Sequence, residues 1–128
     1  MAKVLVVDDD RSISELLQVL VTKAGHTPLV ARDGKAGLEL AQLEKPDLIV
    51  LDVMMPKMDG FEAMRRIRKH QDQRVRELPI VALTAKAMKE DHEKCMEAGA
   101  SDYLPKPVNL ENLTTVMKIW LPVKGFLS

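Results

Sequence analysis

The sequence predicts an α/β domain in which a five-stranded parallel sheet is doubly wound by five helices. Three observations point there. Short apolar runs alternate with longer segments of helical spacing along the 128 residues. The runs are unbroken rather than alternating polar and apolar, as expected of strands buried on both faces. Polar residues able to do chemistry stand just past those runs, at the edge where open parallel sheets bind ligands.

Residues 3–7 are a β-branched-rich run and read as the first strand. Ile13, Leu16, Leu17, Leu20, Val21 and Ala24 then recur at helical spacing, with Ser12 and Glu15 offering a capping box and Gly25 a stop. Residues 27–31 read as a second strand. Asp33-Gly34 opens a helix whose apolar side carries Ala36, Leu40 and Leu43, and Lys45-Pro46 ends it, because a residue before proline is driven out of the helical region. Residues 48–51 are the most apolar strand. Residues 56–60 form a loop, and Asp59 caps a helix carrying Phe61, Met64 and Ile67. Residues 70–78 mix charges without periodicity and read as a solvated loop. Residues 80–83 make a fourth strand, residues 88–98 a helix stopped by Gly99, and Tyr103-Leu104 a short fifth strand. Asn109 caps a last helix with Leu110, Leu113, Val116, Met117, Trp120 and Leu121 on one face, and Pro122 stops it. The chain thus divides into a domain over residues 1–122 and a tail or linker start over residues 123–128.

Composition narrows the class. With 46% hydrophobic and 30% charged residues, the chain can bury a core of its own. Lysine and arginine total 19, as do aspartate and glutamate, so no net charge draws it to nucleic acid or anionic lipid. Neither direct nucleic-acid binding nor membrane insertion is expected, since runs such as residues 48–51 are far too short to span a bilayer. Cys95 is the single cysteine and cannot close an internal disulfide, and no Cys/His cluster has zinc spacing. Without a signal-peptide pattern before the first strand, a reducing, cytoplasmic setting is the reading.

The strand ends carry the chemistry. The first strand runs into Asp8-Asp9-Asp10, the third into Asp52, the fourth into Thr84 and the fifth into Lys106. Two carboxylates about 4 Å apart repel by roughly 4 kcal/mol at an effective dielectric near 20. A raised pKa, a cation, or both must offset that. Lys106 is one such cation. A hard divalent ion suits an all-oxygen cluster better, and magnesium takes one or two carboxylates together with a phosphate oxygen. A carboxylate can also be the nucleophile that forms an acyl phosphate. Singly, each residue has a blander role: Asp10 as a helix cap, Asp52 in a turn before Pro56, Thr84 as a cap, Lys106 on the surface. Capping does not require three aspartates, and the joint arrangement points to phosphoryl chemistry at Asp52.

These segments resemble the response-regulator receiver family. The resemblance rests on Val4-Leu5-Val6-Val7-Asp8-Asp9, Leu51-Asp52-Val53-Met54-Met55-Pro56, Met58-Asp59-Gly60, Ala82-Leu83-Thr84-Ala85 and Tyr103-Leu104-Pro105-Lys106-Pro107, in this order and spacing. It implies a flavodoxin-like sheet with strand order 2-1-3-4-5 and a signalling switch that catalyses only its own phosphorylation and dephosphorylation. Asp52 would be the phosphorylation site. Asp9, Asp52 and the Met54 carbonyl would bind magnesium directly and Asp8 through water. Lys106 would hold the phosphoryl group. Thr84 and Tyr103 would be the switch pair, the hydroxyl moving to the phosphoryl group and the ring following inward. The Lys106-Pro107 bond is usually cis in this family. Met54 and Lys86 flank the path of water and would tune the lifetime of the phospho-form, which bulky Met54 suggests is moderately long. The implied donor is a phosphohistidine on a sensor histidine kinase or histidine phosphotransfer protein. The implied output is a protein contact on the fourth helix, fifth strand and fifth helix. The chain is most similar to receivers at the C-terminal end of hybrid sensor kinases, or to stand-alone single-domain regulators.

Other readings fit less well. A haloacid-dehalogenase-type phosphatase also uses an aspartyl nucleophile, but it needs a second Asp two residues on, where Met54 stands. A flavodoxin-like redox module would want a Ser/Thr/Gly-rich phosphate loop after the first strand, and three aspartates there would repel a flavin phosphate. A binding-only relative is disfavoured by the intact Asp9, Asp52, Thr84 and Lys106. His26, His70 and His92 are scattered and read as solvated or packing residues, Trp120 as a partly buried anchor.

Overall fold

A computed structural model of the chain describes residues 2–53, 60–84 and 89–121. Strands β1 (Lys3–Val7), β2 (Thr27–Ala31), β3 (Leu48–Asp52), β4 (Ile80–Thr84) and β5 (Asp102–Pro105) pair in parallel in the order β2-β1-β3-β4-β5. Apolar alternation across β1, β3 and β4 feeds two cores. One face carries Leu5, Val7, Ile49, Leu51, Ile80 and Ala82. The other carries Val4, Val6, Leu48, Val50, Val81 and Leu83. Burial on both faces is why these strands contain almost no polar residue.

Helices α2 (Gly34–Glu44), α3 (Gly60–Arg68), α4 (Gln73–Arg76) and α5 (Lys89–Ala98) contribute to the first core, and α1 (Arg11–Lys23) and α6 (Leu110–Trp120) to the second. The described residues thus hold six helices, not five. The addition is α4, a single turn inside the stretch that reads from sequence as a solvated loop. Asp72 caps it by accepting from Arg74 N at 2.9 Å, and Val75 is buried beneath it. The fourth and fifth helices of the sequence reading are therefore α5 and α6.

Local details sharpen the boundaries. The cap of α1 is Asp10, whose Oδ1 accepts from Ile13 N at 3.1 Å, so the helix begins before the Ser12/Glu15 box could act. Asp33 and Asn109 cap α2 and α6 as expected. Gly25 and Gly99 take positive φ after α1 and α5. On α2, Leu43 is 78% exposed, because small residues, Gly37 and Ala41, bring this helix close to the sheet. A Cβ on Gly37 would lie 2.9 Å from Val7 Cγ2. Among the described residues, no helix is long and apolar enough to cross a membrane.

Candidate functional site

Strand order reverses direction at β1, whose neighbours β2 and β3 leave it on opposite sides. A crevice opens at the carboxyl end of the sheet beside such a point. There β1 delivers Asp8 and Asp9, β3 ends in Asp52, β4 in Thr84, and the chain leaving β5 supplies Lys106. Carboxylate oxygens of Asp8, Asp9 and Asp52 lie within 4.8 Å of one another. Asp8, Asp52 and Thr84 are buried, at 0%, 2% and 1% exposure, whereas Asp9 is open to solvent. The Lys106 ammonium is 3.1 Å from Asp52 Oδ2 and 3.8 Å from Asp8 Oδ2.

Among the described residues, three carboxylates against one ammonium leave an excess of negative charge. Asp8 registers it. Its Oδ1 accepts from Asp10 N at 2.9 Å, while its Oδ2 is buried with no hydrogen-bond partner. Burial pushes the Asp8 carboxyl up from 3.8 to about 6; the Asp10 N–H opposes the rise, the Asp52 charge adds to it and Lys106 opposes it. An orphaned oxygen in an all-oxygen cluster fits a hard divalent cation such as magnesium, which prefers carboxylate and water ligands. The donors present would be Asp8, Asp9 and Asp52. Met54, the fourth expected ligand, lies outside the described residues, as do Lys86, Asp59 and the tail over residues 123–128.

Thr84 and Tyr103 share one face of the sheet. Register pairs Ala82 with Tyr103 and Thr84 with Pro105, so the period of two aligns Thr84 with Tyr103 as diagonal neighbours. The Lys106-Pro107 bond is cis.

Two features escaped the sequence. A Cβ on Gly60 would collide with Val53 Cα and the Asp52 carbonyl oxygen, so only glycine lets α3 start against the end of β3. His92 stacks on Tyr103, with ring centroids 4.3 Å apart. The Asp-Gly dipeptide was a visible signal for the first; the second joins two elements with no common sequence pattern.

The chain is 42% identical over 119 residues to the response regulator MprA of Mycolicibacterium vanbaalenii, and 43% identical to the response regulator MprA of Mycobacterium ulcerans. These matches cover 93% of the chain but 50% of each relative, so it spans about half the length of the curated relatives it matches. Its structure resembles the chemotaxis protein CheY4 of Vibrio cholerae, with a TM-score of 0.87, 36% identity, and coverage of 94% of this chain and 99% of that one. It also resembles the receiver domain of the sensor histidine kinase PA1611 from Pseudomonas aeruginosa, which has a magnesium ion coordinated in its active site cleft. There the TM-score is 0.84 and identity 31%, over 93% of this chain and 96% of the other. Residues 4–118 match the response regulator receiver domain across both halves of the acidic crevice, and the chain belongs to that family, the receiver domains of two-component systems.

Proposed function

We propose that Asp52 accepts a phosphoryl group from a phosphohistidine of a sensor histidine kinase or histidine phosphotransfer protein. The observation that carries this is the contact of a buried Asp52 with Lys106 at 3.1 Å, inside a cluster of three carboxylates. An Asp52 carboxylate oxygen attacks phosphorus, the phosphorus–nitrogen bond breaks, and the donor imidazole leaves with its electron pair. The product is an acyl phosphate on Asp52. Such transfer asks of a protein mainly positioning and charge stabilisation. Lys106 supplies a cation for a phosphoryl oxygen, and the Thr84 hydroxyl a hydrogen bond for another. Asp9 and Asp52 would hold magnesium directly and Asp8 through water, and the ion would supply positive charge to the phosphoryl transfer. The domain catalyses only this self-modification and its reversal.

Movement of Thr84 toward the phosphoryl group makes room for Tyr103, and the α5–β5–α6 surface is the output contact. The result is a shift between two packings of one fold. Residues 1–122 act as the switching unit. Incubation with acetyl phosphate and magnesium should add one phosphoryl mass. The gain should vanish in Asp52→Asn and fall at least tenfold in rate in Lys106→Ala. Intact-mass measurement reads both, and an unmodified native chain would overturn the proposal.

A further inference from the structure

Asp102, the residue before Tyr103, links β5 to α6. The Tyr103 backbone N–H donates to Asp102 Oδ1 at 2.8 Å, and Asp102 Oδ2 accepts from Trp120 Nε1 at 3.1 Å. The β5 backbone is thereby tied to α6, and the Tyr103 ring is left as the part able to turn. That ring packs partly buried against the core containing Ala82, Cys95 and Ala98. What it meets at the rim of that core is His92, one helical turn before Cys95 on the same side of α5. The ring planes are tilted by 32°, at a centroid separation of 4.3 Å.

We propose that His92 is a positioning residue for the switch: its imidazole holds the Tyr103 ring in the resting packing and so sets how readily phosphorylation turns the domain over. The inference rests on the switch roles of Thr84 and Tyr103 proposed above. Thr84 lies along the same sheet face as Tyr103, nearer Asp52, and in this proposal a ring that follows Thr84 gives up its stack on His92. Giving up an aromatic stack of this kind shifts a two-state population by about two- to tenfold. His92 adds no chemistry at Asp52. It acts on the equilibrium between packings, and through that equilibrium on phosphoryl affinity, because whatever disfavours the switched state weakens binding to it by the same factor.

The test uses beryllofluoride with magnesium as a stable phosphoryl mimic, titrated by the fluorescence of Trp120, the single tryptophan. His92→Ala should tighten the apparent affinity by about two- to tenfold. His92→Phe, which keeps a ring, should stay near native. In a Tyr103→Ala background, His92→Ala should change nothing, a result that general loosening of α5 would not give. Equal affinity in native and His92→Ala protein, with beryllofluoride bound in both, overturns the inference alone. So does the same tightening in the Tyr103→Ala background. Failure of the native protein to bind beryllofluoride or gain phosphoryl mass overturns it together with the reading of Asp52.

Discussion

At the residue scale, the position of Asp52 depends on an atom that is missing. Gly60 opens α3 against the end of β3, and the volume a Cβ would need is filled by the Val53 Cα and the Asp52 carbonyl oxygen. Backbone cannot swing aside as the tip of a side chain can, so Gly60→Ala must push α3 off the sheet or displace the Asp52 peptide. Overpacking of this kind costs about 1–3 kcal/mol. We expect a matching loss in urea unfolding, with slower gain of phosphoryl mass from acetyl phosphate in protein that is still folded. Native stability and rate in this variant would show that the contact relaxes freely. The side chains gathered at the sheet edge were legible, since Asp8, Asp9, Asp52, Thr84 and Lys106 all follow apolar runs and interrupt them. The role of Gly60 was not, because close approach between β3 and α3 leaves no periodic trace. His92 was hidden for the same reason: its partner is eleven residues on, across a turn, in another element.

At the scale of elements, the opposite end of the sheet is organised by one guanidinium. Arg68, at the end of α3, donates from Nε to Gly99 O at 2.8 Å, from Nη1 to Arg76 O at 2.8 Å and Leu78 O at 2.6 Å, and from Nη2 to Ser101 Oγ at 3.3 Å. It ties α3 to α4, to the entry of β4 and to the turn between α5 and β5. Burial lowers its pKa by stripping water from the charged guanidinium. A planar fork can reach these acceptors together, whereas a lysine ammonium is a single point. Arg68→Ala should cost about 1.5–3 kcal/mol in chemical unfolding, and Arg68→Lys should restore little of it. Both should still take a phosphoryl group at Asp52, because these contacts lie at the strand starts and the carboxylates at the strand ends. Loss of phosphorylation in folded Arg68→Ala would contradict that separation. The same region shows where element prediction stops. Five strands and the longer helices were readable from apolar runs and caps. The turn α4 offers only one buried residue, Val75, and four residues cannot display a period. Leu16, Leu43 and Leu110 share the apolar sides that spacing picks out, yet each is substantially exposed. Spacing fixes which residues share a side of a helix, while the size of the residues in contact decides how that side is turned.

At the scale of the whole molecule, folding gathers three carboxylates at one sheet edge although the chain carries no net charge. The Asp8 contribution to stability therefore depends on pH in a direction opposite to the usual behaviour of paired acids. Asp8 rises from 3.8 to about 6 on folding, so between these values the folded state holds more protons than the unfolded one. This contribution then falls as pH rises through that window. Without divalent cations Asp8 should favour pH 5 over pH 7 in urea, while His26, whose pKa burial lowers, pulls the other way, so the Asp8 part is read as the difference between native and Asp8→Asn protein. Magnesium should reverse the Asp8 preference. Its carboxylate ligands must be deprotonated, so its apparent affinity should weaken as pH drops below about 6, by up to about tenfold per unit for one proton displaced. At a hundredfold excess over its dissociation constant, a ligand of the folded state adds about 2.7 kcal/mol, an effect that should be large at pH 7.5 and small at pH 5. Urea unfolding at both pH values, with magnesium and with EDTA, gives four stabilities. Asp8→Asn should remove the Asp8 part of the pH dependence in EDTA, because the orphaned buried oxygen then no longer carries a charge. The same pH dependence in native and Asp8→Asn protein under EDTA would show that Asp8 does not take up a proton on folding.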